Sequence, residues 1–574
     1  MKTVLRFMKP YKGLCFFTLL VTILDVAGGL LIPRLTADMV NLGVAGGDLS
    51  YMLEKGGQMI LIAFLAGAGA LAGSYLCADL SAKIGRDMRN AVYDKSLEFS
   101  GEDFQRFGTG SMITRTLNDI NVIQQAVVWC IQMVIPVPVV CIMGTSMAFA
   151  IDSQMGLLLI GVTVLIVVLA LVVTRKASEI FDRLQRFLDR MNVVLRENIT
   201  GVRVIRAFHK EKREEGRMGK TFEDYAESSI QANRLFAGLD VAAFTVINLC
   251  IVLILWLGGN RIGKGFMQIG DITALTEYAI LILFYIIMAQ MVIILLPRAR
   301  VCIRRMEEVL KTEPEIQDAK DCVKGNWDNS QEVLRFEDVN FRFSDAEENT
   351  LKNISFSCRR GETTAIIGST GSGKSTIARL ILRFHDVSQG SILLKGQDLR
   401  NLPQKELRQE ISYVPQKAWL FSETIRENLA HGKENAGKEE MFHALEIAQA
   451  DFVKNLPQGL ETRAAQGGTN FSGGQKQRLC IARALMKDSD LYIFDDSFSA
   501  LDFKTDKALR EALKEETKEA AVLIIAQRIS TILHASQIVV LDEGEIAGIG
   551  THEYLMENCD VYRDIARSQM KGGE

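Results

Sequence analysis

The sequence of 574 residues predicts an all-α membrane domain of six helices with long cytoplasmic helical extensions, followed by an α/β domain that contains a phosphate loop. Two observations support this fold class. The first half of the chain contains six long apolar runs, which are typical of membrane-spanning helices. The second half contains short runs rich in Ile, Val and Leu that alternate with helical stretches, which indicates a buried sheet with crossover helices and an antiparallel flank near its start.

Each apolar run is long enough to cross a bilayer, which takes about 20 residues in a helix. The spans are predicted at Leu14–Arg34, Gly57–Leu80, Gln125–Ala150, Met155–Thr174, Leu239–Asn260 and Ile272–Pro297. Three acidic residues, Asp25, Asp240 and Glu277, fall inside these spans. Because a carboxylate is costly in the bilayer, they are expected either to line a polar cavity or to form hydrogen bonds between helices.

Two connections between the spans, Ser81–Gln124 and Arg175–Gly238, are long and rich in Arg and Lys. The positive-inside rule therefore places both connections, the N-terminus and the C-terminal half in the cytoplasm. Helical periodicity predicts that the connections continue the spans as rods of roughly 30 Å. The tips of these rods are expected near Gly108–Asn118 and near, or slightly before, Tyr225–Phe236.

The composition changes after the sixth span. Residues 1–310 are assigned to the membrane domain, 311–331 to a polar linker and 332–574 to the α/β domain. The net charge of −3 is close to neutral for this length, so no nucleic-acid partner is expected. The ten cysteines contain no CxxC pair and no metal-ligand spacing, which favours buried, reduced thiols.

The phosphate loop is the most specific local motif. It lies between the apolar run Thr364–Ile367 and a predicted helix, which is the context that this motif requires. Its glycines allow the backbone to wrap a phosphate, so ATP and Mg²⁺ are the predicted ligands. Lys374 is expected to bridge the β- and γ-phosphates, and Ser375 to bind Mg²⁺. The motif consists of Gly368, Ser369, Thr370, Gly371, Ser372, Gly373, Lys374, Ser375 and Thr376.

A second apolar run, Leu491–Asp496, ends in two carboxylates. Such a strand is the expected partner of a phosphate loop, because its terminal carboxylate binds Mg²⁺ directly or through water. Asp495 is the predicted Mg²⁺ ligand, and Asp496 lies one position further out.

Between these motifs, Ser472-Gly473-Gly474-Gln475 resembles the signature of the ABC ATPases. The other motifs of that family occur in the family's order. Phe343 resembles the aromatic residue that stacks on adenine, and Gln416 resembles the glutamine that reaches Mg²⁺. Ser499–Asp502 resembles the loop at the dimer interface, and Gln527 occupies the switch position. The membrane half, with Gly201–Phe208 and Gly270–Tyr278, is similar to the exporter-type fold.

The resemblance covers nearly the whole chain and implies an α/β ATPase domain of ABC type. It implies Asp496, Gln527 and Gln416 as catalytic positions, and Gln416 as a further Mg²⁺ ligand. It also implies that two ATPase domains enclose two nucleotides head to tail, with the signature of one chain facing the phosphate loop of the other. One chain carries one copy of each motif, so a second half-transporter in the same bilayer is expected.

Three positions depart from the family pattern. Asp496 stands where the family has glutamate, Gln527 replaces the switch histidine, and Ala465-Gln466 replaces a Gly-Glu pair before the signature. A positioned general base contributes about 10²–10⁴ in rate, so a site without one is expected to bind ATP and hydrolyse it slowly.

These departures indicate the degenerate-site subunit of a heterodimeric bacterial ABC multidrug exporter, in the cytoplasmic membrane. A partner chain is then expected to supply the hydrolytic residues. A homodimeric exporter with slow hydrolysis remains an alternative, as does an ATP-gated channel or an importer with the same fold. The transported substrate, whether a small molecule, a lipid or a peptide, is not specified by these motifs.

Overall fold

The structure is a computed structural model that describes residues 2–318 and 331–570. Part of the predicted linker, at 319–330, therefore lies outside the described residues. The chain divides into two compact units. The first unit comprises Met1–Glu98 and Phe107–Glu313, and the second comprises Phe99–Arg106 and Pro314–Glu574.

The described part of the first unit is helical. Its helices span Lys2–Met8, Lys12–Asp38, Leu49–Leu97, Thr109–Thr114, Ile120–Trp129, Pro136–Ile151, Ser153–Thr200, Val202–Ala207, Glu211–Gly263 and Ile269–Lys311. Three π-helical turns join or extend them, at Met39–Val44, Arg115–Asp119 and Cys130–Val134.

Six helical stretches of the described residues are long and apolar enough to cross a membrane, which confirms the predicted six-helix membrane domain. They are Thr3–Val44, Leu49–Leu97, Thr109–Ile151, Ser153–Val173, Glu211–Gly263 and Ile269–Ala289. Asp25 and Glu277 are half-buried in these helices and Asp240 is exposed, which argues against a packing role for Asp240 within one chain.

Small residues allow these helices to approach closely. A Cβ atom at Gly270 would lie only 2.4 Å from the carbonyl oxygen of Ala37, and the Gly270 N–H donates to Asn41 Oδ1 at 2.6 Å. Asn41 in turn donates through Nδ2 to Asp271 Oδ1 at 3.0 Å. Close backbone contact with polar bonds between helices is the expected packing mode in a membrane.

The break in the second long connection lies earlier than the sequence suggested. Tyr225–Phe236 lies inside the continuous helix Glu211–Gly263, so the tip predicted near this segment, or slightly before it, was placed too late in the chain. The chain turns instead at Gly201 and at Phe208–Lys210, on either side of the short helix Val202–Ala207. The preceding helix ends at Gly201, where φ is −90° and ψ is 7°, outside the helical range, although its N–H still bonds to the carbonyl of Glu197.

In the first long connection, the breaks lie at Glu98–Ser100 and at Gly108. Gly108 has a φ of +76°, which favours glycine, and the helix resumes at Thr109. The predicted tip at Gly108–Asn118 therefore contains one break at its first residue and is otherwise helical.

The described part of the second unit contains ten strands in two sheets. The strands are β1 Glu332–Phe341, β2 Leu351–Arg359, β3 Thr363–Gly368, β4 Gln389–Leu394, β5 Gln397–Asp398, β6 Ile411–Val414, β7 Leu491–Asp495, β8 Ala521–Ile525, β9 Gln537–Asp542 and β10 Glu545–Gly550. One sheet is antiparallel, with the order β2-β1-β4-β5. The other has the order β10-β9-β3-β8-β7-β6, in which only β10 runs antiparallel to its neighbour.

Helices cover the sheets of this unit. They span Gly101–Phe107, Lys374–Ile381, Gln404–Gln409, Ile425–Ala430, Lys438–Ile447, Gly473–Leu485, Phe503–Glu516, Ile529–Ile532, His552–Asn558 and Asp560–Met570. All five residues of β7 and of β8 are buried, which explains why these strands read as continuous apolar runs. The predicted α/β domain with an antiparallel flank near its start is confirmed.

The segment Phe99–Arg106 belongs to the second unit although membrane helices precede and follow it in the chain. Its buried residue Asp103 accepts two hydrogen bonds at Oδ2, from the N–H of Ser100 at 2.9 Å and from the N–H of Glu315 at 3.3 Å. A buried carboxylate thus holds this segment against the start of the second unit's main body.

Candidate nucleotide site

The predicted site lies at the carboxyl ends of four neighbouring parallel strands. Their order in the sheet is β3-β8-β7-β6. The phosphate loop follows β3, Gln527 follows β8, Asp496 follows β7 and Gln416 follows β6. Ligands of open parallel sheets bind at this edge, because the loops that leave the strands meet there.

The phosphate loop, Gly368–Thr376, connects β3 to the helix that begins at Lys374. Gly373 has a φ of +93°, and a Cβ atom there would lie 2.5 Å from Leu351 Cδ2, so glycine is required. Lys374 Nζ donates to the carbonyl oxygens of Gly368 at 2.9 Å and Ser369 at 2.6 Å. The ammonium group is thereby held over the loop, in front of a helix N-terminus that favours anions.

Asp495 is buried at the end of β7 and accepts two hydroxyl hydrogen bonds. Ser375 Oγ donates to Oδ1 at 3.2 Å, and Tyr413 OH donates to Oδ2 at 3.3 Å. Hydroxyl and carboxylate oxygens are the hard ligands that Mg²⁺ prefers. The predicted pair Ser375 and Asp495 is therefore brought together in an arrangement that suits this ion.

Asp496 follows in a left-handed conformation, with a φ of +47°. Its Oδ2 accepts hydrogen bonds from Gln527 Nε2 at 3.0 Å and from Gln416 Nε2 at 3.4 Å. The three positions that resemble the family's catalytic residues thus meet at one carboxylate oxygen. Two amide N–H groups donate to that oxygen, and neither amide can take up a proton as a histidine would.

The site combines one cationic side chain with two carboxylates. Burial raises the pKa of Asp495, although the hydrogen bonds from Ser375 and Tyr413 oppose this effect. Burial also raises the pKa of Asp496. It lowers the pKa of Lys374, which the nearby charges of Asp496 and Asp495 oppose. One cation beside two carboxylates leaves room for a further positive charge, as a metal ion would supply.

Phe343 lies two residues beyond the end of β1 and is half-buried. Its ring is 4.8 Å from that of Phe341 and 5.4 Å from the imidazole of His385, measured between centroids. Phe341 pairs with Leu351, the residue whose side chain lies against Gly373. The predicted adenine-stacking residue therefore follows a strand end that borders the phosphate loop.

The signature-like motif begins the helix Gly473–Leu485. Gln475 N–H donates to Ser472 Oγ at 3.2 Å, and Ser472 N–H donates to Gln475 Oε1 at 2.9 Å, which forms a capping box. Ser472 and Gly473 are exposed. Among the described residues, no hydrogen bond links Ser472–Gln475 to the phosphate loop of the same chain.

Comparisons with known proteins agree with these motifs. A family model described as the ABC transporter transmembrane region matches residues 14–287, and one described as ABC transporter matches residues 351–499. An uncharacterised ABC transporter ATP-binding protein of Mycobacterium tuberculosis is 36% identical over 566 residues, covering 98% of this chain and 97% of that protein. The chain belongs to the ABC transporter family.

Two further proteins are similar to this ABC transporter along nearly its whole length. A putative multidrug export ATP-binding/permease protein of Bacillus subtilis is 29% identical over 581 residues, covering 98% of both chains. A solved structure of a bacterial Atm1-family ABC exporter with ATP bound matches with a TM-score of 0.81 and 24% identity, covering 97% of this chain and 98% of that chain. The latter likeness shows that this ABC transporter has the exporter-type fold.

Membership of the family has general consequences for this ABC transporter. The ATPase domain binds ATP and couples the hydrolysis of ATP to transport. The chain is a multi-pass membrane protein, and exporters of this family work as dimers.

Sequence reasoning missed Tyr413, whose hydroxyl reaches the buried Asp495 of this ABC transporter. Tyr413 is the third residue of β6, which pairs with β7 so that Tyr413 lies beside Ile493. A tyrosine next to the last residue of a short buried strand was the available signal. Only the pairing of β6 with β7 shows which carboxylate the hydroxyl meets.

Proposed function

We propose that this ABC transporter is the low-hydrolysis half of a heterodimeric exporter. It holds MgATP at its own phosphate loop, and its Ser472–Gln475 motif completes an active site on a non-identical partner chain. The observation that carries this proposal is Asp496, which stands where the family has glutamate and whose Oδ2 accepts amide hydrogen bonds from Gln527 and Gln416.

The residues of the chain's own site have separate roles in this proposal. Phe343 stacks on the adenine, and Gly368–Thr376 wraps the phosphates with its backbone N–H groups. Ser375, Asp495 and Gln416 hold the metal ion. When bound, Mg²⁺ neutralises phosphate charge and orients the terminal phosphate. Lys374 adds a second positive charge at the same phosphates, which strengthens binding without any need for hydrolysis.

Slow hydrolysis at this site follows from two side chains. Asp496 is shorter than glutamate by one methylene group, so it holds an attacking water at a less favourable position. Gln527 can donate to an oxygen but cannot take up or release a proton as an imidazole does. Since a positioned general base contributes about 10²–10⁴ in rate, the combined change leaves a site that binds ATP for many turnovers of its partner.

Transport in this proposal follows from closure of the two ATPase domains around ATP, which switches the membrane cavity from inward-facing to outward-facing. The cargo is a small molecule, a lipid or a peptide; the similarity to a putative multidrug export protein favours a small molecule. The membrane is the bacterial cytoplasmic membrane, with the N-terminus and the ATPase domain in the cytoplasm. The proposed domain limits are 1–310 and 332–574, joined by 311–331.

The test is the ATPase activity of the purified full chain, alone and with a candidate partner that carries glutamate and histidine at the two altered positions. We expect little hydrolysis by the chain alone, and rapid hydrolysis by the mixed complex that survives Asp496→Asn in this chain. Rapid hydrolysis by the chain alone that Asp496→Asn abolishes would contradict the proposal. That result would identify a homodimeric exporter, because one chain carries both a phosphate loop and a signature motif.

A further inference from the structure

Three potential metal ligands of the second unit meet away from the phosphate loop. Glu102 lies in the helix Gly101–Phe107, Glu315 lies near the start of the unit's main body, and His385 follows the helix Lys374–Ile381. One ligand atom from each lies within 4.8 Å of the other two. These residues are far apart in the sequence, so only the fold brings them together.

The imidazole of His385 points to a missing partner. The residue is only 7% exposed, and its Nδ1 has no hydrogen-bond partner among the residues that the structure describes. Nδ1 lies 3.8 Å from Glu102 Oε2, which is too long for a hydrogen bond. A buried nitrogen without a partner is unfavourable, so this atom requires an explanation.

The surroundings hold the three groups in a fixed orientation. The rings of Phe341 and Phe343 pack against the imidazole of His385, with centroids 5.5 and 5.4 Å away. Ser344 Oγ donates to Glu102 Oε1, and Ser100 Oγ donates to Glu315 Oε2 at 3.2 Å. Hydrogen bonds of this kind orient ligands around metal ions.

The charge of the cluster also suits a cation. The cluster offers the carboxylates of Glu102 and Glu315 beside the single imidazole of His385. Two ionised carboxylates at one site carry negative charge that a divalent ion would neutralise.

We propose that Glu102, Glu315 and His385 form a binding site for a divalent transition-metal ion, with Zn²⁺ as the best match. Zn²⁺ accepts mixed nitrogen and oxygen ligands at about 2.0–2.2 Å, so small side-chain movements bring all three atoms onto one ion. Mg²⁺ prefers oxygen ligands alone, which distinguishes this site from the phosphate loop. The ion ties the segment Phe99–Arg106 to the rest of the second unit.

The experiment measures Zn²⁺ binding to the full-length transporter in detergent, purified without a polyhistidine tag and freed of metal with a chelator. Equilibrium dialysis against Zn²⁺ in excess Mg²⁺, followed by metal analysis, should show one tight Zn²⁺ ion per chain. We expect Glu315→Gln and His385→Gln each to weaken this binding by at least about tenfold. Zn²⁺ should also raise the unfolding temperature of the unaltered chain but not of these variants.

The chain offers a matched control. His443 and Glu516 form an exposed pair in which Nε2 lies 3.3 Å from Oε2, a shorter distance than that between His385 and Glu102. In the described chain, no third metal ligand lies beside this pair. His443→Gln should therefore leave the tight Zn²⁺ site unchanged. Glu315 is exposed, so Glu315→Gln should fold normally and retain its unfolding temperature without Zn²⁺. Equal Zn²⁺ binding by Glu315→Gln and the unaltered chain would overturn the proposal.

Discussion

The two functional regions of the ATPase domain differ in how far they follow the family pattern. At the ends of β7 and β8, Asp496 and Gln527 replace the family's glutamate and histidine and bond to each other at 3.0 Å. At the start of the helix Gly473–Leu485, the signature is unchanged and its Ser472 is exposed. In the proposed function, the first region serves the chain's own nucleotide, and the exposed second region serves the nucleotide of a partner chain.

This difference shows that binding and hydrolysis place separate demands on one fold. Lys374, Ser375 and Asp495 need only to attract and hold a charged ligand, and their arrangement is intact. Hydrolysis also needs a positioned base, and Asp496 and Gln527 differ from the family's glutamate and histidine at those positions. The proposed function therefore has the chain lose turnover at its own site and still complete a site on another chain.

The largest expected effect comes from Ser472→Ala. Removing one donor to a developing charge typically costs about 10²–10³ in rate, so ATP hydrolysis by the mixed complex should fall by that factor. The measurement is steady-state ATPase activity at saturating ATP. Asp496→Asn in the same chain is the matched comparison and should change the rate less than about threefold, because the proposed function gives this site little turnover. Equal losses in the two variants would remove the distinction between the regions.

Restoring the family residues tests the strand-end region directly. Asp496→Glu combined with Gln527→His should raise ATP turnover by this chain alone by about 10²-fold, since a base and a proton carrier return together. Each single substitution serves as a control and should give a smaller increase. An unchanged rate in the double variant would show that other residues limit hydrolysis.

Nucleotide binding should depend on Lys374 more than on hydrolytic residues. Lys374→Ala removes a charged donor worth about 1.5–3 kcal/mol, so ATP should bind to the isolated chain about 10- to 100-fold more weakly. Titration with a fluorescent ATP analogue measures this change. Lys518→Ala removes an exposed cation and should leave the affinity unaltered. Unchanged binding by Lys374→Ala would place the nucleotide elsewhere.

The smallest effect concerns Gln475, whose side chain caps its own helix rather than facing outward. Gln475→Ala removes one half of the capping box and should lower the free energy of unfolding by about 0.5–1 kcal/mol. Thermal unfolding of the full chain should detect this loss, and ATPase activity of the mixed complex should stay within about threefold. A loss of activity as large as that of Ser472→Ala would assign Gln475 a direct role.

Local patterns in the sequence determined several parts of this protein. Six apolar runs predict six membrane helices, because a bilayer requires about 20 apolar residues for each span. The phosphate loop is readable because strand, glycines and helix are consecutive. The same holds for the signature, whose capping box lies within four residues.

Tertiary structure decided the parts that depend on residues far apart in the chain. The strand order β3-β8-β7-β6 brings Gln416 and Gln527 to Asp496, and it brings Tyr413 to Asp495. The sequence did not predict the break at Gly201, because helical periodicity continues on both sides of it. Glu102, Glu315 and His385 carry no spacing signal, since their meeting depends on how the segment Phe99–Arg106 packs, and packing over such distances is not encoded in any local pattern.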